Sequence, residues 1–426
     1  MKSALLKRIG KSLLCTILEA QVKRLRKRQQ FKLIAVAGGV GKTSTKLAIA
    51  ETLADSHSVR YQKGNYNDRL TVPLVLFGQR QPGLFNILAW LKIILANRKA
   101  IRQPYPYEYV VVELGTDGPG QMAAFGYLHP DITVITALVP EHMEFFGTMD
   151  AVAVEELSIT NSSKRVLINT DDSPATFLAD KRFISYGSDK KADYRILKWQ
   201  QRELETGELA IALPGGATLE TKLAMVGKPA AKIALAAAAV AHMAGLAQRD
   251  IAKGLTHLQP FAGRMQILDG IRGSTIIDDT YNASPPAVEA ALDVLYGVKA
   301  PQRIAVLGSM NQMGDYSFEA HREVGTYCNA EKLDLVVTVG SDAEKYLAPY
   351  ARKAGCEVQS FSSPYQASEF VKRRLKKGSI ILAKGSQDRI FAEESLKALL
   401  KDPKDAAKLV RQSTYWMKIK RKQFSN

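Results

Sequence analysis

The chain has 426 residues, too many for one ordinary core and enough for two or three domains. Its 46% apolar content is that of a globular protein and excludes a disordered chain, and its net charge of +17 points to phosphate-bearing partners. Three scattered cysteines, Cys15, Cys328 and Cys356, exclude a disulfide framework or a cysteine metal site and read as reduced cytoplasmic thiols.

The charge is concentrated at the ends. Residues 1–30 carry nine Lys/Arg against Glu19 alone, and the last sixteen residues add Arg411, Lys418, Lys420, Arg421 and Lys422 without an acid. Leu5, Leu6, Ile9, Leu13, Leu14, Ile17 and Leu18 recur at helical spacing and predict a basic amphipathic helix over 3–29. That helix can pack on the protein's own body, lie on a membrane surface or bind nucleic acid. The lack of aromatic residues among its charges disfavours the last. Glu19, the basic run after it and the missing small-residue cleavage site argue against a secretory signal. No apolar run approaches the ~20 residues of a membrane span; Phe85–Ala96 is too short and contains Asn86 and Lys92.

From Lys32 onward, strand and helix patterns alternate. Leu33–Ala37, Tyr109–Leu114, Ile132–Thr136 and Arg165–Asn169 are short apolar runs, as in a parallel sheet buried on both faces. Leu209–Leu213, Pro214-Gly-Gly and Thr218–Met225 predict antiparallel hairpins, and Pro229–Gly245 an alanine-rich helix. A second α/β unit starts near Arg264, with strands at Thr275–Asp278, Arg303–Leu307, Leu335–Val339 and Ser379–Ala383. The expected division is a basic helix at 1–30, a central P-loop unit at 31–262 with a mostly parallel sheet, and a Rossmann-like α/β unit at 263–426.

Gly38-Gly39-Val40-Gly41-Lys42-Thr43-Ser44 follows a strand and opens a helix, as a phosphate-cradling loop does. Glycines let backbone N–H groups approach phosphate oxygens; Lys42 is placed to reach the β- and γ-phosphates and Thr43 to ligate magnesium. Val36 stands where the general pattern has its first glycine, so the loop is a shorter variant. The motif gives ATP binding but no reaction, since motors, kinases and ligases share it.

Further motifs name a family. Gly64-Asn-Tyr-Asn-Asp-Arg-Leu-Thr-Val-Pro73, Glu113-Leu-Gly, Pro130-Asp131, Glu141-His142, Phe146-Gly147, Asn169-Thr-Asp-Asp172, Gly263-Arg264, Asp278-Asp-Thr-Tyr-Asn-Ala-Ser-Pro285, Val306-Leu-Gly308, Met313-Gly314, His321-Arg-Glu-Val-Gly325 and Lys384-Gly-Ser386 occur in order. Through them the chain resembles the Mur ligases of cell-wall synthesis from about Ile34 to about Ser386. The type that joins D-alanyl-D-alanine to a UDP-N-acetylmuramoyl-tripeptide fits best. The resemblance implies a magnesium-requiring, cytoplasmic ATP-dependent ligase of peptidoglycan biosynthesis, and so of cell shape. It forms an amide through an acyl-phosphate from a carboxylate-bearing cell-wall peptide and an amino acid or dipeptide. The catalytic set it implies is Lys42, Glu113, His142 and Lys384. Nucleotide contacts come from Gly38 to Ser44 with Arg264, Asp278, Asp279, Tyr281 and Asn282; magnesium ligands are Thr43, Glu113, His142 and Glu156. Glu156 stands where the family has a carbamylated lysine, whose oxygens a glutamate can supply. His321 is a candidate at the second substrate.

The chain also departs from the family. Its P-loop comes within about 40 residues of the start, where the family first has a UDP-binding domain, so that domain is expected to be absent, with the basic helix in its place. Lys228-Pro-Ala-Ala-Lys-Ile233 replaces an asparagine-containing nucleotide motif. Two alternatives stay open: ligation to another acceptor, such as polyglutamate or a membrane-bound precursor, and an ATP-binding scaffold without catalysis. No nucleic-acid partner is expected; peripheral membrane contact through residues 1–30 is.

Overall fold

The apolar runs become two sheets. The computed structural model describes residues 2–62, 64, 66–179, 181–387 and 389–424, without the side chains of 2–9; Leu5, Leu6, Ile9 and Asn65 of the patterns above lie outside that description. The first part comprises α1 (Lys2–Arg28), β1 (Lys32–Ala37), α2 (Lys42–Ala54), β2 (Val59–Arg60), α3 (Val72–Phe77), α4 (Ile87–Arg102), β3 (Tyr109–Glu113), β4 (Ile132–Ile135), α5 (Met143–Phe146), α6 (Met149–Leu157), β5 (Arg165–Asn169), β6 (Ile184–Gly187), β7 (Tyr194–Gln200), β8 (Gly207–Ala212), β9 (Thr218–Leu223), α7 (Lys228–Met243) and α8 (Gln248–Thr256). Its nine strands run in the order β2-β3-β1-β4-β5-β6-β7-β8-β9, parallel as far as β7 and antiparallel from β7 to β9.

β1 lies inside this sheet because both its faces are apolar. Ile34 and Val36 join the core with α2 and α7, while Leu33, Ala35 and Ala37 pack on the opposite side with Val22 and Leu25 of α1 and Val72 and Val75 of α3. Its neighbours β3 and β4 lead away in opposite directions, so the chain leaves β1 at a topological switch point, where α/β sheets place ligands.

The second part comprises β10 (Gln266–Asp269), β11 (Thr275–Asp279), α9 (Pro285–Gly297), β12 (Arg303–Gly308), α10 (Ser317–Tyr327), β13 (Leu335–Val339), α11 (Ala348–Lys353), β14 (Val358–Phe361), α12 (Pro364–Arg374), β15 (Ile380–Lys384) and α13 (Thr414–Phe424). The six-stranded sheet has the order β10-β11-β15-β12-β13-β14, with only β10 antiparallel to its neighbour.

The N-terminal helix forms over Lys2–Arg28, with Arg26, Lys27 and Arg28 in its last turn, where cations complement the helix dipole. Its buried face differs from the expected leucine stripe: Cys15, Leu18, Val22 and Leu25 are buried and Leu13 is exposed. The reason is its partner. α1 lies against α3 and α4, burying Cys15 and Leu18 with Leu70, Leu74, Trp90 and Ile93. Gln21 Nε2 donates to Ile94 O at 2.8 Å and accepts through Oε1 from Asn97 Nδ2 at 2.9 Å. Arg26 Nη2 reaches Asp131 Oδ2 at 3.1 Å, and the same oxygen accepts the Leu33 amide at 2.9 Å, tying helix to β1.

The C-terminal basic run is also less exposed than its composition suggests. Lys420 is fully buried between Glu393 Oε1 at 2.7 Å and Glu394 Oε1 at 2.6 Å, and Arg411 pairs with Glu393 at 2.7 Å.

Candidate active site

β1 ends at Ala37 and the chain turns sharply. Gly38 has φ 112°, and a Cβ there would lie 2.7 Å from Thr136 Oγ1 and 2.9 Å from the Ala137 amide; only glycine fits. Gly41, at φ 86°, then caps α2. The loop amides and the N-terminus of this 13-residue helix converge as they do at phosphate sites. Lys42 folds over the loop, donating to Gly38 O, to Gly39 O at 2.9 Å and to Glu141 Oε2 at 3.2 Å. Burial pulls its pKa down, but Glu141, Glu156 and Glu113 together hold it above the usual lysine value.

Glu113 ends β3 directly beside Val36 of β1. Its Oε1 accepts from Asn67 Nδ2 at 3.3 Å, and its Oε2 lies 3.3 Å from Lys46 Nζ, an ion pair with side chains only 3% and 2% exposed. Oε2 is buried without a hydrogen bond. Burial raises the Glu113 pKa, yet Lys46, Lys42 and Arg264 overcome that and hold it below the ordinary carboxylate value. For Lys46 the balance reverses: burial outweighs Glu113 and lowers its pKa.

His142 precedes α5 in the left-handed conformation, at φ 54°. Its Nε2 is 3.7 Å from Asp117 Oδ1, and its Nδ1 is buried with no hydrogen-bond partner. On α6, Glu156 Oε2 accepts the Gly38 amide at 2.8 Å, and burial pushes its carboxyl up to about 7. Thus Glu156 braces the phosphate loop itself. Its neighbour Glu155 holds the preceding loop, accepting from Thr116 Oγ1 at 2.9 Å and from the Gly120 and Met122 amides at 2.7 and 2.6 Å.

The second sheet closes over this end. Arg264 Nη2 donates to Thr43 Oγ1 at 3.0 Å while its guanidinium sits 4.1 Å from the Tyr281 ring centroid. Asn282 Nδ2 reaches Glu141 Oε1 at 3.4 Å, so Glu141 links Lys42 to the second unit. Asp279 and Lys384 face each other on paired strands, with Lys384 Nζ 2.6 Å from Asp279 Oδ2 and 3.0 Å from Asn282 O. Lys384 is buried, which rules out a surface lysine. Asp278 is fully buried; its Oδ1 accepts the Thr280 amide at 3.1 Å, its Oδ2 has no partner, and burial raises its pKa to about 6. Arg411 donates to Tyr281 O at 3.0 Å and to Thr280 O at 2.6 Å, so the ion-paired C-terminal segment fixes this loop. His321 belongs elsewhere: Nε2 accepts the Met310 amide at 2.9 Å, Nδ1 lies 2.7 Å from Ser317 O, and burial lowers its pKa. It orders the start of α10.

One cavity of about 490 Å³ gathers these residues. Its walls include Lys42, Thr43, Glu113, His142, Arg264, Asp279, Tyr281, Asn282 and Lys384; Asn67 and Asp68, and Lys228, Pro229 and Lys232 of α7, also line it. Lys232 pairs with Asp172 at 2.7 Å, and Asp172 Oδ2 accepts from Asn169 Nδ2 at 2.7 Å. Of the expected site residues, Gly38, Glu156 and Asp278 are not among its lining residues. Among the described residues no three His, Cys, Asp or Glu side chains cluster tightly enough to bind a metal by themselves. The donors nevertheless suit magnesium, which keeps several waters and uses few carboxylates beside substrate phosphates: Glu113 Oε2 is buried beside Lys46 Nζ, and His142 Nδ1 is buried with no hydrogen bond.

Sequence models of two domains match this chain: the Mur ligase middle domain over residues 90–241 and the Mur ligase, glutamate ligase domain over 263–387. The chain belongs to the Mur ligase family. This Mur ligase is 28% identical over 381 residues to the UDP-N-acetylmuramoyl-tripeptide–D-alanyl-D-alanine ligase of Bacillus subtilis strain 168, covering 87% of this chain and 76% of that relative. Its fold matches a crystal structure of MurF from Acinetobacter baumannii with a TM-score of 0.73 at 22% identity, over 91% of this chain and 81% of that one. The MurF ligase of Thermotoga maritima, solved with ADP, superposes with a TM-score of 0.71 at 22% identity, over 90% and 84% of the two chains.

Glu141, Glu155, Lys46 and Arg411 were missed as site residues by sequence reasoning. For Glu141 a signal existed, since it adjoins His142 in a Glu-His-Met-Glu run. Lys46 closes the Lys42-Thr-Ser-Thr-Lys46 extension of the phosphate loop, which is a local signal, while Glu155 and Arg411 act through partners distant in the chain and carry none.

Proposed function

We propose that this Mur ligase joins D-alanyl-D-alanine, or a similar amine, to the carboxylate of a peptidoglycan-precursor peptide at the expense of ATP. The observation that carries the reading is the convergence of Lys42, Thr43, Glu113 and His142 from the first unit with Arg264, Asp279, Asn282 and Lys384 from the second on one cavity. The division into 1–30, 31–262 and 263–426 is part of the proposal.

ATP lies with its phosphates over Gly38, Gly39, Val40, Gly41 and the amides of Lys42, Thr43 and Ser44. Lys42 exchanges its loop carbonyls for the β- and γ-phosphates. Thr43, Glu113 and His142 would hold magnesium, with Glu156, which braces the loop from behind, as the fourth candidate ligand. Bound there, magnesium would supply neutralisation of the phosphate charge that otherwise repels the acceptor carboxylate. A carboxylate oxygen attacks that phosphorus in line, ADP leaves, and the acyl-phosphate is then attacked by the amine with loss of phosphate. The protein's part is positioning and exclusion of water rather than covalent catalysis. Arg264, with Tyr281 stacked on it, lies against the nucleotide from the second unit; Asp279 and Asn282 shape that wall, with Asp278 buried behind it, and Lys384 faces the developing phosphate charge.

The reaction is assigned to the cytoplasm, with the basic segment 1–30 in peripheral contact with a membrane. A second reading, a membrane-bound rather than a free acceptor, is favoured by the contact of Lys11 Nζ with Asp68 Oδ2 at 3.4 Å, which sets the basic helix against a residue that lines the cavity. Mass spectrometry of reactions with UDP-linked tripeptide, with and without D-alanyl-D-alanine, decides. A product heavier by the dipeptide less water, formed only with both substrates, supports the proposal. ATP turnover that ignores both substrates overturns it.

A further inference from the structure

α4 has two unlike faces. Trp90, Ile93, Asn97 and Ile101 are buried, at spacings of three and four residues, toward α1 and the sheet. Ile87, Leu88, Leu91 and Leu95 point to solvent, exposed by 71%, 73%, 50% and 60%. Four large aliphatic side chains on two turns of one helix form a continuous apolar stripe, which an isolated monomer rarely leaves uncovered. Lys92, Arg98 and Lys99 are exposed on the same helix, and Lys11, Lys23, Arg24, Lys27 and Arg28 on the adjoining α1.

The charges carried by α1 and α4 are basic apart from Glu19, with Asp68 at the Lys11 edge. Residues 69–107 contain six Lys/Arg and no acid, and the single acid of residues 1–30, Glu19, is paired with Arg69. A second copy of the chain docking here would bring two basic faces together. An anionic lipid surface meets both features: acyl chains take the leucines, and headgroup phosphates take the lysines and arginines. None of the described helices is long and apolar enough to cross a membrane, so such contact is peripheral.

We propose that the α1–α4 face docks flat on an anionic bilayer, with Leu88, Leu91 and Leu95 inserted at the headgroup boundary. The Gln21–Asn97 and Gln21–Ile94 hydrogen bonds fix α1 to α4, so the two helices bind as one rigid platform. Its edge at Lys11 touches Asp68, which lines the cavity. Docking therefore brings Asp68, a lining residue of the site, near the lipid headgroups. This consequence rests on the ligase reading; the docking does not.

The test is flotation of the full chain with vesicles of equal phosphatidylglycerol and phosphatidylcholine, and with pure phosphatidylcholine, at about 0.15 M salt. The chain is expected to float with the anionic vesicles only. The triple variant Leu88→Gln/Leu91→Gln/Leu95→Gln, altered at exposed positions outside the ATP site, should partition at least about tenfold less while binding ATP normally, and Lys92→Glu/Arg98→Glu/Lys99→Glu should do the same. Equal binding by wild type and the leucine variant overturns the proposal. So does a wild type that ignores anionic vesicles, including one that instead forms a dimer or a complex with an acidic polypeptide through this face. Because flotation is read without substrates, a failed ligation assay leaves its outcome unchanged.

Discussion

Removing the Lys46 ammonium tests the electrostatic frame beneath the phosphate loop. Lys46 Nζ and Glu113 Oε2 lie 3.3 Å apart, with side chains 2% and 3% exposed. At an effective dielectric constant near 20, opposite charges at that distance attract by roughly 5 kcal/mol. Breaking one side of a buried pair typically costs about 3–5 kcal/mol, because the other charge is left without compensation. Here Lys42 and Arg264 also act on Glu113, so Lys46→Met should fall at the low end, about 3 kcal/mol. Glu113→Gln in the Lys46→Met background should recover much of that loss, since no orphan charge remains. Urea unfolding of wild type, both single variants and the double variant closes the cycle. A Lys46→Met cost below about 1 kcal/mol, or single-variant effects that simply add, would refute the reasoning.

Gly38→Ala should weaken ATP binding by calorimetry at least about tenfold, because the new methyl meets Thr136 and Ala137 in a left-handed turn; unchanged affinity contradicts the loop geometry. Asp278→Asn should change the pH dependence of stability. The folded pKa of Asp278, about 6, lies above its ordinary 3.8, so its neutral carboxyl contributes stability that is full below about pH 3.8 and lost as pH rises through about 6. The amide stays neutral, so thermal melts should show the variant gaining on wild type between pH 4 and 7, by roughly 3 kcal/mol at most; parallel curves would count against it. His142→Ala should leave the melting temperature nearly unchanged but raise the magnesium concentration needed for turnover more than about tenfold. An unaltered magnesium requirement removes His142 from the ligand set.

What could be read from sequence follows from where the information lies. β1, β3, β4 and β5 are buried on both faces, and that burial demands the continuous apolar runs that mark them. The phosphate loop is legible because its glycines, Lys42 and Thr43 are contiguous. Short edge strands are not: β2 has two residues, and β10, the antiparallel edge of the second sheet, buries mainly Leu268. The face of α1 was misjudged because Leu13 and Cys15 both suit a helix, and only α3 and α4 decide which one is covered. The Lys46–Glu113 pair spans two elements, and the Arg411–Glu393 clamp on the Tyr281 loop joins a C-terminal arginine to a glutamate beyond β15. Neither has a pattern that spacing could reveal. Glu156 shows the limit from the other side. Its position was marked by resemblance, but its hydrogen bond to the Gly38 amide is a property of the folded loop.

The central claim is that the acceptor carboxylate passes through a phosphorylated form. It is tested most directly by running the ligation with acceptor whose carboxylate carries ¹⁸O and weighing the inorganic phosphate released. Transfer of one labelled oxygen to phosphate for each amide formed is the predicted result. Unlabelled phosphate alongside normal product formation would contradict the account.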